Sequence, residues 1–562
     1  MQTRLSSDNA HHLQSAYDYV VVGSGAAGAT LASEIRRCEL GSVLLIEAGR
    51  AANSPRLRIP SSYPLAFGSQ WDWGYQTTPQ SGMARRRMPL PTGRSVGGST
   101  SINAMIYIEP NPQDFASWQS IAGDDWAPAA VARAFAALRA TMERAPQPFA
   151  GRVSLRSASA ASPVVPCLPE LHPAMKELLD HATTHGWLAP TQQGGFRNPV
   201  AGIAPYQRMQ RSGRRVSVMN LWFPGASHGS NASVDPVTLL SNTAVRRILI
   251  QDQCAVGVEL MHASATSTVQ ARRGVVLAAG AFGSPQLLLQ SGVGPRDWLK
   301  HLGIPCQIDA VELGANLQDH LVVPIVMNRS EGSPFRFPFD AAERIRYVRT
   351  RTGPRASNIA ELGGFFDSTS SPSDLRSHSQ PLDFQWHITP THYLEYPRVH
   401  SERSALSFGV TAMRPLSRGR MTPCLDLRST DRAGLISWAI DPAYMTAPGE
   451  LEDWVRAIAW TRTFLTHPSW ENMLDSEQLP GSQRNSPAAI ESFVRRMAST
   501  LYHYSSTCSM GTHSSSTIDP HFRTRGVDRL WVCDASVMPQ LPGCNPQATI
   551  MMMATKLASE LQ

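Results

Sequence analysis

Residues 19–49, YVVVGSGAAGATLASEIRRCELGSVLLIEAG, constrain what this chain can fold into more than any other stretch. The run 19–22 is apolar, β-branched and short, as a parallel strand buried on both faces requires. Gly23, Gly25 and Gly28 follow, small residues across 26–32 open a helix, and a second apolar run over 43–46 ends in Glu47. This is G-x-G-x-x-G between strand and helix with an acid about twenty residues on, which predicts a doubly wound α/β unit holding a dinucleotide. The first glycine permits the tight turn, the second lets backbone approach a pyrophosphate, and the third lets helix pack on strand. The helix N-terminus then offers unpaired N–H groups to the phosphates. A carboxylate at 47 accepts hydrogen bonds from a ribose and disfavours a 2′-phosphate. The competing reading of the same residues is a glycine-rich turn in some other α/β protein.

At 562 residues the chain exceeds one compact core, and two to four domains are expected. The net charge of +7 is carried almost wholly by arginine, because lysine occurs only at Lys176, Lys300 and Lys556. The run Arg85, Arg86 and Arg87 reads better as solvated loop charge than as an anion-binding surface, and no nucleic-acid partner is expected. No apolar run approaches the roughly 20 residues of a bilayer span, and residues 1–15 lack the apolar core of a signal peptide. The eight cysteines show no CxxC pair and no metal-ligand spacing, so reduced thiols, no metal and a cytoplasmic location are expected.

Along the chain, residues 51–92 form a long aromatic-rich excursion with Tyr63, Phe67, Trp71, Trp73 and Tyr75. The Gly/Ser tract 93–103 presents several backbone N–H groups at close range, as an anion-binding nest does. Residues 128–144 read as an alanine-rich helix, and 146–168 as a proline- and serine-rich crossing between domains. Residues 236–260 return to β character, and 272–294 repeat the strand, glycine turn and helix of the first unit. Residues 326–500 alternate short strands with loops and read as a largely antiparallel second domain with helices on one face. The C-terminal stretch gives a third strand–turn–helix.

Five ordered blocks then point to a family: 23–28 with Glu47; 93–103; 280–294; 314–320 (GANLQDH); and His503 with Asn545 in LYHYSSTCSMG and PGCNPQATIMM. On these the chain resembles the glucose–methanol–choline (GMC) oxidoreductases over nearly its full length. Ala116, where that family has a polar residue, is a minor departure. The resemblance implies a discontinuous Rossmann-like FAD-binding domain (residues 15–160, 210–325 and 500–562). A substrate domain built on an antiparallel sheet (161–209 and 326–499) would roof the flavin. It implies FAD contacts at Gly23, Gly25, Ala26, Ala27, Gly28, Glu47 and Ala48, and at Arg94, Gly97, Gly98, Ser99, Asn103, Ala104 and Met105. Val245, Asp534, Ala535, Asn545 and Pro546 complete the set. Some relatives attach FAD through a histidine at the position of Ile102, so non-covalent FAD is expected here.

An alcohol gives up hydride readily only as its hydroxyl loses its proton, which calls for a base of near-neutral pKa. His503 matches the family's catalytic histidine and Asn545 its hydrogen-bonding neighbour. Taken alone, His503 reads better as a cap on a core turn, and Asn545 before a proline could serve turn chemistry. His387 and His392 lie where relatives line the substrate pocket. Cys508 and Cys544 read as small core residues, Glu361 and Arg418 as structural polar residues. The expected activity is oxidation of a primary or secondary alcohol, aryl or allylic favoured, with O2 or another acceptor taking the electrons. Two alternatives are a lyase on the same scaffold, including a photodecarboxylase that would use Arg398, and a non-catalytic flavin-binding protein.

Overall fold

A computed structural model describes residues 13–145, 164–165, 171–191, 195–224, 231–262, 265–329, 340–372, 375, 382–392, 404–424 and 435–562. Arg398 and nearly all of the 146–168 crossing lie outside the described residues. The β-branched run of the first motif forms the strand Ala16–Val22, central in an eight-stranded sheet. It pairs in parallel with Val43–Ile46 on one side and with Ala265–Leu277 on the other. Val237–Leu240 and Leu530–Val532 extend the parallel set outward, the former joined by antiparallel Asn231–Val234. The parallel strands are buried on both faces, which explains why they read as unbroken apolar runs.

The thirteen-residue strand Ala265–Leu277 serves two neighbours in turn. Its first half pairs antiparallel with Cys254–His262, and its last three residues pair with Leu530–Val532. Gly274, at φ +154, lies before the second pairing, where a Cβ would sit 2.4 Å from the Trp531 ring. The register aligns Val22 with both Ile46 and Leu277, so three parallel strands end at one level. Gly23, Glu47 and Ala278 therefore emerge side by side, in the crevice beyond the strand ends where open α/β sheets bind ligands.

The second sheet is antiparallel in the order Leu474–Leu479, Leu321–Arg329, Ala405–Ala412, Phe384–Thr389, Leu362–Phe366, Gly202–Pro205. The strand FQWHIT shows why it has two unlike faces. Phe384, Trp386 and Ile388 enter a core with Leu406, Phe408, Trp454 and Phe464, beneath the helix Glu450–Leu465. Period-two alternation sends Gln385, His387 and Thr389 to the other side. The first core, by contrast, gathers the parallel sheet with the helices Ala26–Arg37 and Gln547–Glu560, which pack on each other. The molecule is thus a mixed α/β protein with a Rossmann-like unit and an antiparallel second sheet, as the sequence predicts. No helix among the described residues is long and apolar enough to cross a membrane.

Candidate active site

The crevice at the strand ends is built by mutual approach of glycines. A Cβ on Gly23 would lie 2.3 Å from the carbonyl oxygen of Ala278, and one on Gly28 would lie 1.9 Å from that of Gly23. Protein packing alone explains those two residues. At Gly25 a Cβ would meet the Cα of Gly98 at an ordinary contact distance of 3.9 Å, so protein packing alone does not require glycine there. A glycine at that second position is what the close approach of a pyrophosphate needs, so the residues fit a dinucleotide cofactor. Gly97 donates its N–H to Ser24 Oγ at 3.0 Å, tying the 93–103 loop to the first turn.

Glu47 is buried and accepts from Ser24 N (3.1 Å), Ser24 Oγ (2.7 Å) and Gly49 N (2.8 Å). Burial raises its pKa, against these bonds and the charge of Arg94. Val245 begins just beyond Glu47, since Thr243 N–H donates to the Glu47 carbonyl at 3.0 Å. Asp534 accepts from Gly280 N (2.8 Å), Ser284 Oγ (2.6 Å) and Ser536 N (2.8 Å), which clamps the Ala535 turn to the helix Gly280–Gln290.

A cleft with about 1190 Å³ of atom-free space, its mouth included, opens between the two sheets. Ala26, Ser99, Asn103, Ala104, Met105, Asn545 and Pro546 line it on the cofactor side, together with Ile102. His387, Thr389 and His503 also line it, His503 beside Asn545, and Tyr63, Phe67 and Tyr502 supply aromatic rings. The remaining cofactor-side positions do not line this cleft.

Hydrogen bonding fixes the protonation pattern at its heart. His320 Nε2 lies 2.9 Å from the Met413 carbonyl oxygen, which can only accept, so that nitrogen carries the proton. Burial pushes the His320 pKa down to about 4, leaving the ring neutral and its Nδ1 bare. His503 Nδ1 sits 2.9 Å from that bare nitrogen and must donate to it. His503 Nε2 therefore keeps its lone pair. Asn545 Nδ2 stands 3.2 Å from it, and the amide orientation is set independently. Tyr206 OH donates to the Trp386 carbonyl at 2.6 Å and accepts from Gln385 Nε2 at 2.7 Å. Gln385 Nε2 also reaches Asn545 Oδ1 at 3.4 Å, leaving the Asn545 NH₂ towards His503. Asp319 holds the backbone in place, accepting from His503 N (2.8 Å), Thr500 Oγ1 (2.5 Å) and Tyr444 OH (2.6 Å).

One expectation is corrected here. Burial, with like charge from His320 and His387, lowers the His503 pKa well below its ordinary value, where near-neutrality was expected. The ring has no carboxylate against its nitrogens to hold the proton. His387 and His172 are likewise pushed down to about 4 by burial. Unfolding exposes these imidazoles, which then bind protons below pH about 6.5. Between that pH and about 4 the unfolded state binds more protons at these rings, which lowers stability as pH falls. Asp319, pushed up to about 7 by burial, opposes this, as do Glu47, Glu361 and Asp534, whose pKa values burial also raises, so the net slope is the difference between the two sets.

Of the other sequence candidates, Cys508 and Cys544 are buried core thiols whose pKa burial raises. Glu361 is buried and accepts from His172 N at 2.9 Å. Arg418 bonds the carbonyls of Pro415, Leu416 and Ser417. His392 is buried but does not line the cleft. Sequence reasoning gave no role to His320, Asp319, Gln385, Tyr206 or Thr389. The alternation in FQWHIT, polar at every second position, was the signal for Gln385 and Thr389.

A nucleotide crevice that meets a cleft holding an unprotonated histidine and an amide donor fits a dinucleotide-dependent oxidoreductase. Two family profiles described as GMC oxidoreductase match residues 17–322 and 415–554, and the chain belongs to that family. It is 31% identical over 558 residues to an alcohol dehydrogenase [acceptor] of Pseudomonas putida, covering 96% of this chain and 95% of that one. It is 31% identical over 565 residues to an oxygen-dependent choline dehydrogenase of Pectobacterium carotovorum, covering 97% and 94%. Among solved structures, pyridoxine 4-oxidase from Mesorbium loti superposes with a TM-score of 0.79 at 27% identity, covering 97% and 98%.

Proposed function

We propose that this protein oxidises a primary or secondary alcohol, aryl or allylic favoured, to the carbonyl compound. The observation that carries the reading is the bare His503 Nε2, 3.2 Å from Asn545 Nδ2 and open to the cleft. His503 takes the hydroxyl proton at Nε2, and its Nδ1–H bond to His320 holds that tautomer in place. Asn545 donates to the oxygen as negative charge builds on it. Bound FAD supplies the hydride acceptor. Electrons then leave to O2 or another acceptor. The rings of Tyr63, Phe67 and Tyr502, in edge-to-face contact at 6.0 and 5.0 Å between centroids, support a flat apolar substrate body. The domain division read from the sequence is part of the same proposal, with the polar face of the antiparallel sheet as the roof.

The test is anaerobic mixing with a panel of alcohols, following flavin absorbance. Bleaching is expected; substrate conversion with the flavin oxidised throughout would favour a lyase instead. Asn545→Ala removes one donor to a developing oxyanion and is expected to slow bleaching about 10²–10³-fold, read by stopped flow. Ile102, an aliphatic side chain in the cleft wall, cannot bond covalently to the flavin. Acid precipitation is therefore expected to leave the yellow colour in the supernatant, and a yellow pellet would refute the non-covalent assignment.

A further inference from the structure

The cleft wall on the antiparallel sheet carries polar atoms that the described structure leaves unsatisfied or poorly paired. His387 and Thr389 line the cleft at successive same-side positions of Phe384–Thr389 and are only 8% and 3% exposed. Thr389 Oγ1 is buried without a hydrogen-bond partner, and His387 Nε2 has none of good geometry, the Asn545 side chain being the group that interacts with its ring. The other ring nitrogen of His387 lies 3.5 Å from Thr411 Oγ1. A buried donor or acceptor left unpaired is costly, and an unpaired hydroxyl beside a poorly paired ring nitrogen on one strand face calls for a ligand that pairs both. The neutral imidazole and the hydroxyl can each donate or accept, so they suit a hydroxyl or a ring nitrogen equally.

A second observation concerns charge. No Asp, Glu, Lys or Arg is among the described residues lining the cleft. Buried Asp319 backs the cleft at His503, whose backbone N–H it accepts at 2.8 Å, and Arg215, 3% exposed, backs it at Tyr63. Its guanidinium bonds the carbonyls of Leu57 and Thr100 and Asn103 Oδ1. Tyr63, itself part of the cleft wall, is the ionisable group that faces it; no carboxylate does. Aromatic rings attract cations, but an uncompensated guanidinium behind Tyr63 repels a second positive charge from the same wall.

We propose that the substrate is an uncharged alcohol carrying a second hydrogen-bonding group, which His387 and Thr389 bind, and that cationic alcohols are rejected. This rests on the alcohol-oxidation reading above. It separates the chain from the choline-oxidising specificity in the name of one of its relatives.

The test compares rates of anaerobic flavin reduction, as kcat/KM, for benzyl alcohol, the three hydroxybenzyl alcohols, 3-pyridinemethanol and choline. A site built around a substrate polar group discriminates by up to about 10⁴–10⁵-fold. The best of the hydroxylated or pyridine alcohols is expected to exceed benzyl alcohol by about 100-fold or more, with choline the poorest of the set. Thr389→Val should narrow that ratio at least tenfold, and Thr389→Ser, which keeps the hydroxyl, should retain it. The wild-type ratio and the serine variant are readable even if the valine variant misfolds. Bleaching by every alcohol within about threefold, or by choline as well as by benzyl alcohol, would overturn this inference alone. A flavin that no alcohol bleaches would overturn the oxidation reading and this inference with it.

Discussion

His503→Ala is expected to slow flavin reduction by alcohol about 10²–10⁴-fold, the usual contribution of a positioned general base. FAD binding and the fold should survive, because the glycine cradle and its tie to the 93–103 loop are built without the His503 ring. The wild-type rate should rise with pH as one group loses its proton. That limb should lie below pH 6.5, since burial and like charge hold the His503 pKa well below its ordinary value. It should vanish in the alanine variant. His320→Phe provides a second check, because it removes the acceptor that fixes the His503 tautomer. Its rate should drop while the His503 side chain remains. A His503→Ala enzyme within threefold of wild type would remove the histidine from the mechanism.

Gly25→Val is expected to produce a folded protein that purifies colourless, with FAD affinity lowered at least about 100-fold. A Cβ at position 25 would meet protein no closer than 3.9 Å, so the added side chain occupies the space over the motif and not the core. The second glycine of this motif is the one over which a pyrophosphate lies. Gly28→Val is the contrasting variant, since a Cβ there would lie 1.9 Å from the Gly23 carbonyl oxygen. It should yield little soluble protein. Fluorescence titration of the refolded apoproteins with FAD, beside circular dichroism, separates the two outcomes. Undiminished FAD affinity in Gly25→Val would place the cofactor elsewhere.

Local pattern was enough to reveal the first βαβ unit. Its strands are buried on both faces, and Gly23 and Gly28 fill positions that tolerate no side chain, so the pattern is readable without partners. His503 and Asn545, 42 residues apart, were legible only through the family resemblance of the two blocks that hold them. His320 stood inside a block as well, in GANLQDH, yet nothing local gave it a role. Its part in the site depends on the Met413 carbonyl, 93 residues away, which fixes its proton and so the lone pair of His503.

The sequence by itself determined the α/β fold and the glycine cradle, because each follows from short-range spacing, and it pointed to His503 and Asn545 through the resemblance of their blocks to a family. Tertiary structure alone decided which nitrogen of His503 is bare, how far its pKa falls, and that Gln385 and Tyr206 orient Asn545. Those properties come from burial and from hydrogen bonds between strands distant in the chain. Desolvation and the direction of a proton are set by what surrounds a group in space, and no run of neighbouring residues records that.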